Sequence, residues 1–225
     1  MAKILKKRGF YLEEKAKKNA KLFILFLIMG LSSLLFYRIP FVIYFSLLSF
    51  LISLSFFAKY SKFKKGFEGE EAVAECLKNN LDDSYYIIND IKLKYGNIDH
   101  VVIGPTGIFV IETKNYGGEI VCNGDEWKIR SGEKEYQIKS PSRQAKKNAL
   151  KIKKLIEEKL NRHAWINAIV VFTNPSINLY LNNNSIPILQ MHELCDYIKN
   201  KKMMLSSSEI EAIAKVITHF FSLLH

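Results

Sequence analysis

Two apolar runs close to the N-terminus limit what this chain can fold into more than any other feature. Residues 22–36 (LFILFLIMGLSSLLF) carry no ionisable side chain, and residues 41–58 (FVIYFSLLSFLISLSFFA) carry only the phenol of Tyr44. Between them lies Y-R-I-P, with Arg38 and Pro40. As helices at ~1.5 Å per residue, such runs reach about 22 and 27 Å, slightly short of a bilayer core about 30 Å thick. Lys21 and Lys59 can snorkel, and Tyr37 and Tyr60 suit an interface. The pattern predicts a tight transmembrane helical hairpin, with spans at about 22–36 and 41–58; a re-entrant hairpin in one leaflet is the alternative.

Charge supports this division. Of the 33 Lys+Arg and 22 Asp+Glu, residues 1–65 hold 13 basic and two acidic (Glu13 and Glu14), which accounts for the whole formal charge of +11. The remaining 160 residues are neutral overall, so the high isoelectric point says nothing about nucleic acid. Residues 1–21 and 59–65 carry eight and four basic side chains and the loop between the spans carries one. The positive-inside bias then places both termini in the cytoplasm of a two-span protein of the cell membrane. A cleaved secretory signal fits poorly, because a second apolar span follows at once. Cys76, Cys122 and Cys195 have no C-x-x-C spacing, which argues against a disulfide framework or a cysteine zinc site.

Past a basic linker at residues 61–65 (S-K-F-K-K), helix and strand patterns alternate. Residues 67–80 read as a helix with Ala72, Val73, Cys76 and Leu77 on one stripe. Strands follow at 86–93, 97–103 and 108–114, and a meander at 118–122, 126–130 and 134–138. Ser140-Pro141 starts a helix that runs to about Asn161 and buries Ala145, Ala149, Ile152, Ile156 and Leu160. Residues 166–173 (INAIVVFT) form a strand buried on both faces, and residues 191–199 a short helix. The capping box Ser206-x-x-Glu209 opens the last helix, with Ile210, Ile213, Ile217, Phe220, Phe221 and Leu224 inward. The expected fold class is α/β, with one central mixed sheet flanked by helices. Three regions are expected: residues 1–60, basic segment and hairpin; 61–180, the α/β domain; 181–225, a helical extension packed on it.

The chemistry concentrates in residues 97–114, NIDHVVIGPTGIFVIETK. Closing a hairpin at Gly104 and Gly107 pairs Ile103 with Ile108, Val101 with Val110, Asp99 with Glu112 and Asn97 with Lys114. Cβ atoms of opposed residues lie about 4.5–5.5 Å apart, so two carboxylates there repel unless something positive lies between them. A hard divalent cation, Mg²⁺ or Mn²⁺, suits that place, and Lys114 reaches the same spot. The plainer reading is an Asp–Lys–Glu ion-pair cluster at a sheet end. His100 falls on the opposite face, as a structural histidine.

Asp99 followed by Glu112-Thr113-Lys114 resembles the core of the PD-(D/E)xK nuclease superfamily. The blocks GFEGEEAVAECL and NIDHVVIGPTGIFVIETKNYGGEI look more closely like the nuclease-related domain, NERD, over roughly residues 62–180. The resemblance implies a restriction-endonuclease-like core and a site in which Glu70, Asp99 and Glu112 hold the metal and Lys114 is the catalytic lysine. It also matches Gln144 to a glutamine that follows the core in some branches of the superfamily. The implied function is divalent-metal-dependent hydrolysis of nucleic acid, DNA before RNA, by a protein anchored in the lipid bilayer. A catalytically inactive nucleic-acid-binding or adaptor module at the membrane is the alternative, and a membrane assembly protein built on the hairpin is a third reading.

On residue pattern alone, Glu70 also reads as a first-turn helix acid and Gln144 as an exposed helix residue. Residues 139–162 hold nine Lys+Arg against two acids. That helix can track phosphates, face solvent, or lie on anionic lipid. Trp127 and Trp165 read as core or sheet residues rather than a base-stacking platform. No Walker A loop, H-E-x-x-H or G-x-S-x-G occurs.

Overall fold

A computed structural model describes residues 1–6, 11–93 and 96–222. In chain order it has β1 (Lys3–Lys6), α1 (Tyr11–Ser33), α2 (Pro40–Asn80), β2 (Tyr86–Lys92), β3 (Asn97–Gly104) and β4 (Gly107–Lys114). Next come β5 (Gly118–Asn123), β6 (Glu126–Ser131), β7 (Lys134–Ile138) and α3 (Pro141–Leu160). The chain ends with β8 (Ile166–Phe172), β9 (Ile177–Asn182), β10 (Ile188–Gln190), α4 (Leu194–Lys199) and α5 (Ser207–Ser222). Two compact units result, Phe10–Glu68 and Met1–Gly9 with Gly69–His225.

The smaller unit is a helical hairpin. A 3-10 turn, Leu34–Phe36, separates its two helices, both long and apolar enough to cross a membrane. Small residues line the seam. A Cβ on Gly30 would meet Ser46 O at 3.3 Å and Ser49 Cβ at 3.4 Å. Ser46, Ser49 and Ser53 are buried, and Ser33 Oγ hydrogen-bonds Ser46 Oγ across the seam. Ser46 and Ser53 also donate to the carbonyls of Val42 and Phe50 in their own helix. Phe26 stacks on Phe56 with ring centroids 5.6 Å apart. Leu25, Ile28, Leu31, Leu47, Leu48 and Leu51 point outward and are exposed.

The larger unit is α/β, as the alternation of patterns implies. Its main sheet is mixed and six-stranded, in the order β1-β2-β3-β4-β8-β10. β2, β3 and β4 run antiparallel, and β8 runs parallel to β4. The meander, read from sequence as part of the same sheet, builds a second one with β9, in the order β7-β6-β5-β9. Three strands were not apparent in the pattern: β1 and β10 at the edges of the main sheet, and β9 beside β5. Residues 61–65 belong to the unbroken α2.

Two apolar layers enclose the main sheet. One contains Val101, Ile103, Ile108 and Val110 from the central hairpin with Ala145, Ile152 and Ile156 of α3 and Ile210, Ile213 and Ile217 of α5. The other contains Val102, Phe109 and Ile111 with Val73 and Leu77 of α2 and Leu194 and Ile198 of α4. Phe220 is 37% exposed rather than inward, and Leu224 lies outside the described residues. The expected capping box forms, with Ser206 N donating to Glu209 Oε2 at 2.7 Å. Trp127 is buried and donates from Nε1 to Ser142 Oγ at 3.0 Å. Trp165, also read as core, is 66% exposed, because it precedes β8 instead of lying in it. All three cysteines are free thiols, and Cys76 and Cys195 bring their sulfurs to 3.7 Å.

Candidate active site

The hairpin register is the one expected from the turn. Gly104 pairs with Gly107, Ile103 with Ile108 and Val101 with Val110. Gly107 has φ +126°, and a Cβ on Gly104 would lie within 2.1 Å of the Tyr85 ring, so neither position accepts a side chain without strain. The recorded pairing ends at His100 with Ile111. One step further, Asp99 replaces a ladder hydrogen bond with its own side chain: Thr113 N donates to Asp99 Oδ2 at 2.8 Å. Asn97, expected opposite Lys114, instead pairs with Lys92 of β2. The two strands cease regular pairing where the carboxylates sit.

Asp99 and Glu112 are both buried. Lys114 Nζ donates to Glu112 Oε1, and the pair forms a buried ion pair. Glu112 Oε2 is buried and has no hydrogen-bond partner. Burial pushes the Glu112 carboxyl up to about 8, and the nearby Asp99 charge adds to the shift while Lys114 opposes it. Asp99 is raised as well, chiefly by burial, against the pull of Lys114 and the Thr113 amide. Burial alone would lower the lysine, but Glu112 and Asp99 outweigh it, so Lys114 is held above its ordinary value and stays a cation. Three of the five residues singled out from sequence, Asp99, Glu112 and Lys114, therefore form one electrostatic unit.

Glu70 is buried on α2, in a stripe with Val73 and Leu77. A Cβ on its neighbour Gly69 would touch Thr173 and Asn115, the residues that follow β8 and β4. Glu70 thus belongs to the strand ends beyond Lys114. Gln144 is exposed on the first turn of α3. Among the described residues, no group of three or more His, Cys, Asp or Glu is gathered closely enough to hold a metal ion. His100 is buried on the other face, with Nδ1 2.8 Å from Asn89 Oδ1.

Sequence reasoning missed Asp90. It faces Asp99 across β2 and β3 by the register of the flanking pairs, Asn89 with His100 and Ile91 with Ile98. Asn97 Nδ2 donates to Asp90 Oδ1 at 3.4 Å and to Asp99 Oδ1 at 3.3 Å. The acidic residue in Y-I-I-N-D-I-K-L was the available signal, since the register 86–103 places it beside Asp99.

A divalent cation can be tested against these groups. Two buried carboxylates share one lysine, and one carboxylate oxygen has no donor. Oxygen donors of that kind fit a hard cation.

An α/β domain with an Asp and a Glu-x-Lys at the disrupted end of its central hairpin is the class this site defines. Residues 65–173 match the family described as the nuclease-related domain, NERD. A Bacillus anthracis protein whose name reads only as uncharacterized is 36% identical over 103 residues, covering 43% of this chain and 49% of that protein. The chain thus spans about half the length of that relative. No solved structure matches.

Proposed function

We propose that this chain is a membrane-anchored, divalent-metal-dependent nuclease that hydrolyses phosphodiester bonds, with DNA as the favoured substrate. The observation that carries the reading is the buried Asp99–Glu112 pair, with Lys114 bound to Glu112 and acting on the charge of Asp99. Asp99 and Glu112, with Glu70 beyond the strand end, are the groups to hold Mg²⁺ or Mn²⁺. Such a cation supplies Lewis acidity toward a phosphoryl oxygen and lowers the pKa of water. Lys114, fixed by Glu112, retains two N–H donors. As a permanent cation it serves to stabilise charge on a pentavalent phosphate rather than to act as a base. Gln144, exposed at the head of α3, is proposed to position substrate.

Substrate contact is proposed for one stripe of α3. Lys146, Lys153 and Lys159 are paired with Asp125, Glu157 and Glu158. Arg143, Lys147, Lys151 and Lys154 follow i, i+4, i+8 and i+11 spacing, one face of a helix. Burial and the like charge of Lys147 push the Lys151 ammonium down, which a phosphate would relieve. Asn148 of the same helix donates to Asn97 O at 3.2 Å, tying the helix to the strand that carries Asp99.

The hairpin supports anchoring: its serines face each other and its large apolar side chains face out, the arrangement lipid favours. By the positive-inside bias, both termini are proposed to lie in the cytoplasm. Carbonate extraction and protease protection of tagged termini test this.

The decisive assay is cleavage of plasmid DNA and labelled RNA by the full chain in lipid nanodiscs. The expected result is cleavage that requires Mg²⁺ or Mn²⁺ and is lost in Glu112→Ala and Lys114→Ala. A folded protein that cleaves no nucleic acid with any divalent ion contradicts it. Among the described residues no three acidic groups are gathered into one cage, which favours one second reading, a nucleic-acid-binding adaptor. It predicts salt-sensitive binding that survives Glu112→Ala and falls when Lys147 and Lys151 are neutralised.

A further inference from the structure

Asp90 combines two destabilising features at one position. Its backbone has φ +45° in the middle of β2, a left-handed conformation that costs a non-glycine residue about 1–2 kcal/mol. Its side chain is 3% exposed, yet Oδ2 has no hydrogen-bond partner. Leaving such a group unsatisfied costs about 1–3 kcal/mol, more when it is charged. Asn would tolerate the same backbone and Gly would relieve it, and neither would bury a carboxylate. A kink alone therefore does not account for an aspartate here.

The surroundings supply a reason. Oδ1 shares the Asn97 amide with Asp99, so both carboxyl groups converge on the same side of the strand pair. The Asp90 charge adds to the upward push on Asp99. Glu112, also buried, pairs with Lys114, whose charge also acts on Asp99. Like charges hold such groups apart until a cation arrives, which is consistent with no cage being gathered beforehand among the described residues.

Resting on the metal-dependent reading above, we infer that Asp90 is a further acidic residue of the cation site, supplying a carboxylate oxygen to the divalent ion held by Asp99. The shared Asn97 amide sets the Asp90 carboxyl beside that of Asp99, and the unpartnered Oδ2 is the oxygen left for the ion.

The test uses the full chain in nanodiscs, with Mn²⁺ binding followed by electron paramagnetic resonance and thermal unfolding measured without metal. Asp90→Asn is expected to weaken Mn²⁺ binding at least tenfold while the metal-free midpoint stays level or rises, because a repulsive buried charge is gone. Asp90→Gly, which accepts the backbone and removes the carboxylate, gives the same readout should the amide variant fold poorly. An unchanged Mn²⁺ dissociation constant with a lowered midpoint overturns the inference and leaves Asp90 a structural residue. If the wild-type chain itself binds no Mn²⁺, the metal-dependent reading fails and this inference falls with it.

Discussion

The hairpin and the α/β unit both bury polar groups, but with opposite outcomes. In the hairpin the seam serines are satisfied within the hairpin: Ser53 donates to the carbonyl of Phe50, and Ser33 and Ser46 bond each other and lie against the carbonyls of Gly30 and Val42. In the α/β unit the buried acids are not. Glu112 Oε2 and Asp90 Oδ2 have no donor, and Asp99 takes over a backbone amide that the sheet would otherwise have used. A hydroxyl closed on its own helix lets two helices approach and asks for no ligand. A carboxylate held dry with an open lone pair does, because the penalty is recovered only when a cation or donor arrives. The contrast separates packing from chemistry without reference to any relative.

Breaking the contrast on the acidic side should give the largest effect. Lys114→Ala removes the cation that offsets Asp99 and Glu112. It is expected to abolish cleavage and to lower stability at pH 8 by roughly 3–5 kcal/mol, read by nuclease assay and chemical unfolding. Glu112 sets the next effect. Its carboxyl is raised in the fold to about 8, so the folded state holds a proton that the unfolded state has released above about pH 4.5. Its contribution is therefore most favourable below pH 4.5 and is lost as pH climbs to about 8. The metal-free unfolding free energy should fall across that window by an amount on the order of a few kcal/mol, and Glu112→Gln should flatten the profile.

The hairpin sharpens the comparison from the other side. Gly30→Leu must displace the Ser46 carbonyl and Ser49 and is expected to cost about 1–3 kcal/mol of hairpin packing, measured by unfolding in mixed micelles. Ser53→Ala removes a hydroxyl that bonds only within its own helix and should change stability by less than about 1 kcal/mol. Neither should alter metal binding. The smallest effect on the fold is expected on α3: Lys147→Ala with Lys151→Ala leaves stability within about 0.5 kcal/mol. The same pair should reduce the log–log salt slope of DNA binding by about one for each lysine removed.

Much of this was legible in the sequence where one rule governs one residue. Gly-Pro-Thr-Gly fixes the turn, the turn fixes the register, and the register carries Asp99 and Glu112 to the same end of the hairpin, one step past its last regular pair. The apolar stripe of α3 and the Ser206–Glu209 box were equally direct. What escaped depends on partners distant in sequence. β1 is K-I-L-K, four residues with two lysines, and becomes a strand only because Tyr85 O accepts from Lys3 N at 2.8 Å. β9 is largely exposed, and its hydrogen bonds go to β5, far back in the chain. The S-K-F-K-K stretch contains no Gly or Pro to stop a helix, so α2 runs through it. Asp90 escaped because alternation says which face a residue takes but not that its backbone turns left-handed.

The most direct measurement is calorimetric titration of Mg²⁺ and Mn²⁺ into the metal-free full chain and into Asp99→Asn and Glu112→Gln. The buried carboxylate pair predicts saturable binding in the wild type, with uptake of metal releasing a proton near pH 7, and loss of that binding in both variants. Equal heats in all three proteins, or no binding in any of them, would contradict the claim that Asp99 and Glu112 are kept dry and repelling for the sake of a cation.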